Sequence, residues 1–147
     1  MDCKAVVFLL GLSGFIAFIH GQKHGAEQLT EDCLTCMCEA SSECDDDIKC
    51  HGRGDKNCGP YLISYHYWLD GGELGGGFEK CVTYRPCAEA TIRGYMNKWA
   101  SDCNGDKHVD CYDYARIHKT GGPSCNSTWV LTTDYWMRFE ACYSLMT

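Results

Sequence analysis

Thirteen cysteines in 147 residues constrain this chain more than any other feature. Cys3 lies in MDCKAVVFLLGLSGFIAFIHG, where a short charged start precedes an apolar run from Ala5 to Ile19. Residues 1–21 read as a secretory signal peptide, too short for a transmembrane span, and no later stretch is apolar enough to cross a bilayer. Thirteen less Cys3 leaves twelve: Cys33, Cys36, Cys38, Cys44, Cys50, Cys58, Cys81, Cys87, Cys103, Cys111, Cys125 and Cys142. An even set bound for an oxidising compartment implies six disulfides, whose pairing the spacing leaves open. The competing reading, a zinc site on Cys33-x-x-Cys36, needs reduced thiolates and a cytosolic setting. Residues 22–147 are long enough for one domain with a modest core, helped by cross-links worth roughly 2–4 kcal/mol each.

The net charge of −7 argues against nucleic acid and against general attraction to anionic surfaces, bacterial envelopes included. The leader from Gln22 to Thr30 reads as loose. Thr30, followed by Glu31 and Asp32, predicts the start of a helix through CLTCMCEASSEC. CDDDIKCHGRGDKNCGP is punctuated as loop or hairpin. YLISYHYWLDGG, rich in aromatic and branched residues, reads as a strand entering a turn, and GGELGGGFEK as a flexible connection. Helical spacing of Ala88, Ile92, Tyr95, Met96 and Trp99 predicts a helix from Cys87 to Ala100. A shorter helix is expected over CYDYARIH, ended by Gly121-Gly122-Pro123, and another from Thr133 to Cys142 with Tyr135, Trp136, Phe139 and Cys142 on its apolar face. The fold class is a small disulfide-rich α+β domain of several short helices and a short β-hairpin.

Four blocks, CLTCMCEASSEC, CGPYLISYHYWLDGG, CAEATIRGYM and ARIHKTGGPSC, together resemble the invertebrate-type, destabilase-like lysozymes, in that family's order and over roughly Cys33 to Cys142. The resemblance implies a lysozyme-like scaffold that hydrolyses the β-1,4 glycosidic bond of bacterial peptidoglycan, with isopeptidase activity in some members. Such hydrolysis uses one protonated carboxyl group and one ionised one. The family's acid stands three residues after the third cysteine of the first cluster, and here that position is Ser41. A serine hydroxyl cannot serve as a general acid at neutral pH. Glu39 and Glu43 are the candidate replacements, though two positions along a helix turn a side chain by about 200°. The family aspartate falls at Gly52 when CHGRGDKNCGP is anchored on Cys58-Gly59-Pro60. The same anchoring puts Asp55 where the family carries the serine tied to isopeptidase activity. Asp55 or Asp47 would then be the partner carboxylate of any residual hydrolysis. His118 matches the family histidine, which without its serine partner has no nucleophile to activate; the alternative role is to hydrogen-bond loop backbone and fix the helix end. Where family members commonly carry two further cysteines, this chain has Gly71 and Thr91, and the resemblance implies a looser cleft rim there.

Asp102, Asn104, Asp106, His108, Asp110 and Asp113 fall at the spacing of an EF-hand-like loop, which would give a structural calcium site, with Lys107 where such loops carry glycine. The alternative is a solvated acidic turn held by Cys103 and Cys111. Asn126-Ser127-Thr128 is an N-glycosylation acceptor, and Arg53-Gly54-Asp55 spells an integrin-binding tripeptide. Tyr61, Tyr65, Tyr67, Trp68 and Trp129 are candidates for stacking on sugar, with most expected in the core. Two functional readings stand. One is a secreted, monomeric lysozyme-family protein of defence or digestion, directed at bacterial peptidoglycan, with weak or absent hydrolysis. The other is a non-enzymatic glycan-binding or regulatory module. No cofactor is required by either.

Overall fold

The structure is a computed structural model that describes residues 26–147; the signal-peptide reading of residues 1–21, with Cys3, falls outside them. Helix α1 (Glu31–Ser42) is followed by a hairpin of β1 (Asn57–Cys58) and β2 (Ile63–Ser64), then α2 (Tyr65–Asp70), α3 (Phe78–Val82), α4 (Arg85–Trp99), α5 (Cys111–Thr120) and α6 (Asp134–Tyr143). Short 3-10 turns lie at Gly122–Ser124 and Thr128–Thr132. The strands pair antiparallel, Asn57 opposite Ser64 and Cys58 opposite Ile63. This is the expected α+β domain.

Local signals explain most of the helices. Thr30 Oγ1 accepts from the Cys33 amide at 3.2 Å, satisfying one of the free donors at the start of α1. Pro86 opens α4, where its missing N–H is no loss. Asp110 and Asp113 form a reciprocal capping box at the start of α5. Helix α6 is capped by Thr133, whose hydroxyl accepts from the Trp136 amide. The core gathers Leu34 and Met37 of α1, Ile92 of α4, Ile117 of α5, Phe139 of α6 and Val130, all essentially inaccessible to solvent.

All twelve cysteines of the described residues are paired: Cys33–Cys111, Cys36–Cys142, Cys38–Cys44, Cys50–Cys58, Cys81–Cys87 and Cys103–Cys125. Zinc on Cys33 and Cys36 is thereby excluded, because both sulfurs are committed to disulfides that tie α1 to α5 and α6. Cys103 and Cys111 do not close the acidic turn on itself; they anchor its two ends to different parts of the domain.

Four expectations are corrected. The segment read as a strand contributes only Ile63 and Ser64 to the sheet and then becomes α2. Ser64 Oγ accepts from the Tyr67 amide at 3.3 Å, and Tyr67 and Trp68 are buried on the helix's inner side, so capping and burial outweigh strand propensity. The flexible connection is shorter than expected, since Phe78 already begins α3 and Trp68 Nε1 donates to the Leu74 carbonyl at 3.0 Å. The described part of the leader is docked rather than loose. The Glu27 amide donates to the Val109 carbonyl at 2.7 Å, Tyr114 Oη donates to the Glu27 carbonyl at 2.5 Å, and Leu29 is buried.

Where a looser rim is expected, Gly71 and Thr91 are closely packed. A Cβ on Gly71 would lie 2.5 Å from the Thr91 carbonyl oxygen and 2.7 Å from its methyl group, and Thr91 is fully buried. The backbone at the end of α2 rests directly on α4.

Candidate functional site

The C-terminal turn of α1, the hairpin, α2, α4 and the C-terminal end of α5 surround a cleft of about 420 Å³. Ser41 lines it from α1, Asn57 and Ser64 from the hairpin, His66 and Asp70 from α2, and His118 from α5. Ser41 Oγ donates to the Met37 carbonyl of its own helix at 2.8 Å.

The other candidate acid–base residues are elsewhere. Glu39 does not line the cleft, as its offset around α1 requires. Glu43, just past the helix end in a left-handed conformation, pairs with Arg138 of α6 at 3.3 Å. Asp47, Gly52 and Asp55 are exposed in the loop that leads to β1 and also fail to reach the cleft. Gly52 has φ +113°, a backbone conformation that an aspartate would adopt only under strain. Of the predicted catalytic set, the fold brings together Ser41 and His118 and leaves the rest outside.

Asp70 is the one carboxylate among the lining residues, and sequence reasoning missed it. Lys98 Nζ donates to Oδ1 at 2.6 Å and Trp99 Nε1 to Oδ2 at 3.0 Å. The Lys98 bond foremost, then that of Trp99, holds its pKa below the usual carboxylate value. Asp70 is therefore a fixed anion and cannot donate a proton near neutral pH. The missed signal was a helical one. Ser64 as cap and Gly71-Gly72 as stop would have made SYHYWLDGG a short helix, with His66 and Asp70 on one face at i, i+4 spacing.

His118 is held at both nitrogens. Nε2 donates to the Tyr61 carbonyl oxygen at 2.9 Å, which leaves Nδ1 bare to accept from the Tyr67 hydroxyl at 3.1 Å. A carbonyl can only accept, so this pairing fixes the neutral tautomer. Burial pushes the His118 pKa down from 6.5 to about 4 and the Tyr67 pKa up. Tyr67 in turn stacks on Tyr95 with ring centroids 3.6 Å apart. Tyr61 is buried too, and its hydroxyl donates to Glu89 at 3.0 Å. Tyr61 and Tyr67 show only part of themselves to the cleft, Trp68 is core, and Tyr65 and Trp129 are exposed outside it.

The histidine makes stability depend on pH. Its folded pKa lies below its unfolded one, so the unfolded chain binds the proton more readily and acid favours unfolding. The contribution is complete above pH 6.5 and is lost as the pH falls toward about 4, by up to roughly 3 kcal/mol. Urea midpoints across that window are expected to fall for the wild-type protein, and the fall to be shallower in His118→Gln.

In the acidic loop, side-chain oxygens are taken by backbone amides. Asp102 accepts from Gly105 and Lys107, Asn104 from Asp106, Asp106 from His108, Asp110 from Tyr112, and buried Asp113 from Cys103 and Asp110. Among the described residues, no three His, Cys, Asp or Glu side chains converge where a metal could sit. Arg53-Gly54-Asp55 is an exposed stretch of the loop closed by Cys50–Cys58, and Asn126 is exposed on a turn.

The family model described as Destabilase matches residues 30–142. The chain belongs to the destabilase family. A lysozyme of Ostrea edulis is 34% identical over 113 residues, covering 75% of this chain and 78% of the relative. Invertebrate-type lysozyme 6 of Caenorhabditis elegans is 28% identical over 138 residues, covering 85% and 91%. The inhibitor-bound lysozyme of Meretrix lusoria superposes with a TM-score of 0.66 at 27% identity, over 79% of this chain and 93% of that one. A complex of Aeromonas hydrophila PliI with the Meretrix lusoria lysozyme gives 0.65 at 28% identity, over 76% and 88%. This destabilase-family protein thus keeps the scaffold across nearly the full described chain.

Proposed function

We propose that this destabilase-family protein is a secreted, monomeric protein of defence or digestion that holds bacterial peptidoglycan in its cleft, with glycosidic hydrolysis weak or absent. One observation carries the reading. Ser41, which the resemblance aligns with the family acid, lines the cleft, and among the described residues that line it the only carboxylate, Asp70, is bound as an anion by Lys98 and Trp99. General acid catalysis contributes roughly a hundred- to ten-thousand-fold in rate, and a hydroxyl bonded to its own helix cannot supply it. Sugar binding needs no such proton. Neutral donors and acceptors from Asn57, Ser64 and Ser41 remain along the walls, with tyrosine rings in the floor.

Six disulfides, and the absence of any membrane-crossing helix among the described residues, support the secretory reading. The net charge of −7 weakens attraction to anionic envelopes, so retention has to come from the cleft rather than from the general field.

The test is a bacterial wall suspension followed for turbidity and for co-sedimentation. The wild-type protein is expected to sediment with the wall and leave turbidity almost unchanged. Clearing that Glu39→Gln abolishes would return the acid to α1, whereas neither clearing nor sedimentation would remove peptidoglycan as the ligand.

A further inference from the structure

The turn that joins the two 3-10 segments carries a feature that the cleft does not use. Asn126 and Thr128 are exposed there, and Ser127 between them is extended, with φ −63° and ψ 130°. Among the described residues no hydrogen bond engages the Asn126 side-chain amide or the Thr128 hydroxyl, so the acceptor nitrogen and the hydroxyl two residues on are both free. The turn itself is firm. The Ser127 amide donates to the Ser124 carbonyl at 3.0 Å, and the adjacent Cys125 is tied to Cys103. One residue further, Trp129 leaves 51% of its surface in solvent, an unusual exposure for an indole on an ordered segment. Neither Asn126 nor Trp129 lines the cleft.

We propose that Asn126 carries an N-linked glycan, and that the open face of Trp129 is the surface against which its first sugar rests. The inference depends on the secretory reading given above. Its chemistry is a group transfer from a lipid-linked pyrophosphoryl oligosaccharide. The Asn126 Nδ2 attacks C1 of the first N-acetylglucosamine, and the Nδ2–C1 bond forms as the bond from C1 to the pyrophosphate oxygen breaks. The pyrophosphate leaves with the electron pair, and the amide proton passes to the transferring enzyme. Only Asn-x-Ser/Thr with x other than proline is accepted, and Asn126-Ser127-Thr128 meets that rule. An aromatic face close to a sugar ring removes apolar surface from water for both partners.

The experiment is expression of the full chain in a eukaryotic secretory host, with the mass of the protein recovered from the medium. The expected result is a mass excess made of hexose and N-acetylhexosamine units. A peptide N-glycosidase, which leaves an aspartate at the site, should remove it. The excess should vanish in Asn126→Gln and in Thr128→Ala but persist in Thr128→Ser, so a folding defect in one variant does not decide the matter. Release of the glycan should raise the accessibility of tryptophan to a neutral fluorescence quencher, and Trp129→Phe should erase that difference. Disulfide-bonded protein in the medium without sugar at residue 126 would overturn the proposal, and unchanged quenching on release would overturn the role of Trp129. Retention in the cytosol with reduced thiols would overturn the secretory reading instead, and with it the modification.

Discussion

Ser41→Glu is expected to clear a bacterial wall suspension at least about a hundred-fold faster than the wild-type protein, fastest at mildly acidic pH. Position 41 lines the cleft one residue before the end of α1, and the last turn of that helix carries no basic residue. The negative end of the helix dipole and partial burial both disfavour a charged carboxylate there, so the introduced side chain should hold its proton, as a general acid must. Asp70, which lines the same cleft, stays ionised because its partners, Lys98 and Trp99, are untouched. Initial clearing rates from pH 4 to 8, with Ser41→Gln as the isosteric variant lacking the acid, measure the effect. A Ser41→Glu protein that sediments with the wall but clears nothing would show that the missing acid is not what silences the cleft. Adding Gly52→Asp should give no further gain, since residue 52 is exposed outside the cleft on a backbone unsuited to aspartate.

Gly59→Ala is expected to lower stability by more than about 4 kcal/mol, enough to leave little folded protein. Gly59 has φ +71°, and an added Cβ would lie 1.8 Å from the Val82 carbonyl oxygen and 2.7 Å from its carbonyl carbon. Val82 is fully buried at the end of α3, so the neighbour is backbone that cannot swing aside. The left-handed conformation alone would cost about 1–2 kcal/mol for a side chain. The clash then separates the hairpin from α3, and with it the cleft wall formed by Asn57, Tyr61 and Ser64. Urea unfolding of whatever folded protein is recovered gives the measure. A midpoint close to the wild-type value would mean that the Gly59–Val82 approach is not rigid.

The same contrast between local and long-range forces separates what could be read in the chain from what could not. Helices α1, α4, α5 and α6 were legible because their signals are local: Thr30 before acidic residues, Pro86 at a start, and Ala88, Ile92, Tyr95 and Met96 at helical spacing. Family membership was equally legible, since it rests on cysteine spacing and short blocks. Helix α2 was hidden because YLISYHYW has the composition of a strand, which masked the local cap at Ser64 and the stop at Gly71-Gly72; the burial of Tyr67 and Trp68 against the domain completes the case for a helix.

Twelve cysteines by themselves determined that the domain would be held by six cross-links, and the order of residues placed a serine, residue 41, near the end of the first helix. Only the tertiary structure decided that Cys36 reaches Cys142 across 106 residues, that Asp70 meets Lys98 and Trp99, and that His118 is locked between Tyr61 and Tyr67. A cysteine's oxidation follows from its compartment and count, and a helix from neighbours within one or two turns. Which side chains share a cleft depends on how helices far apart in sequence pack, and no local pattern encodes that.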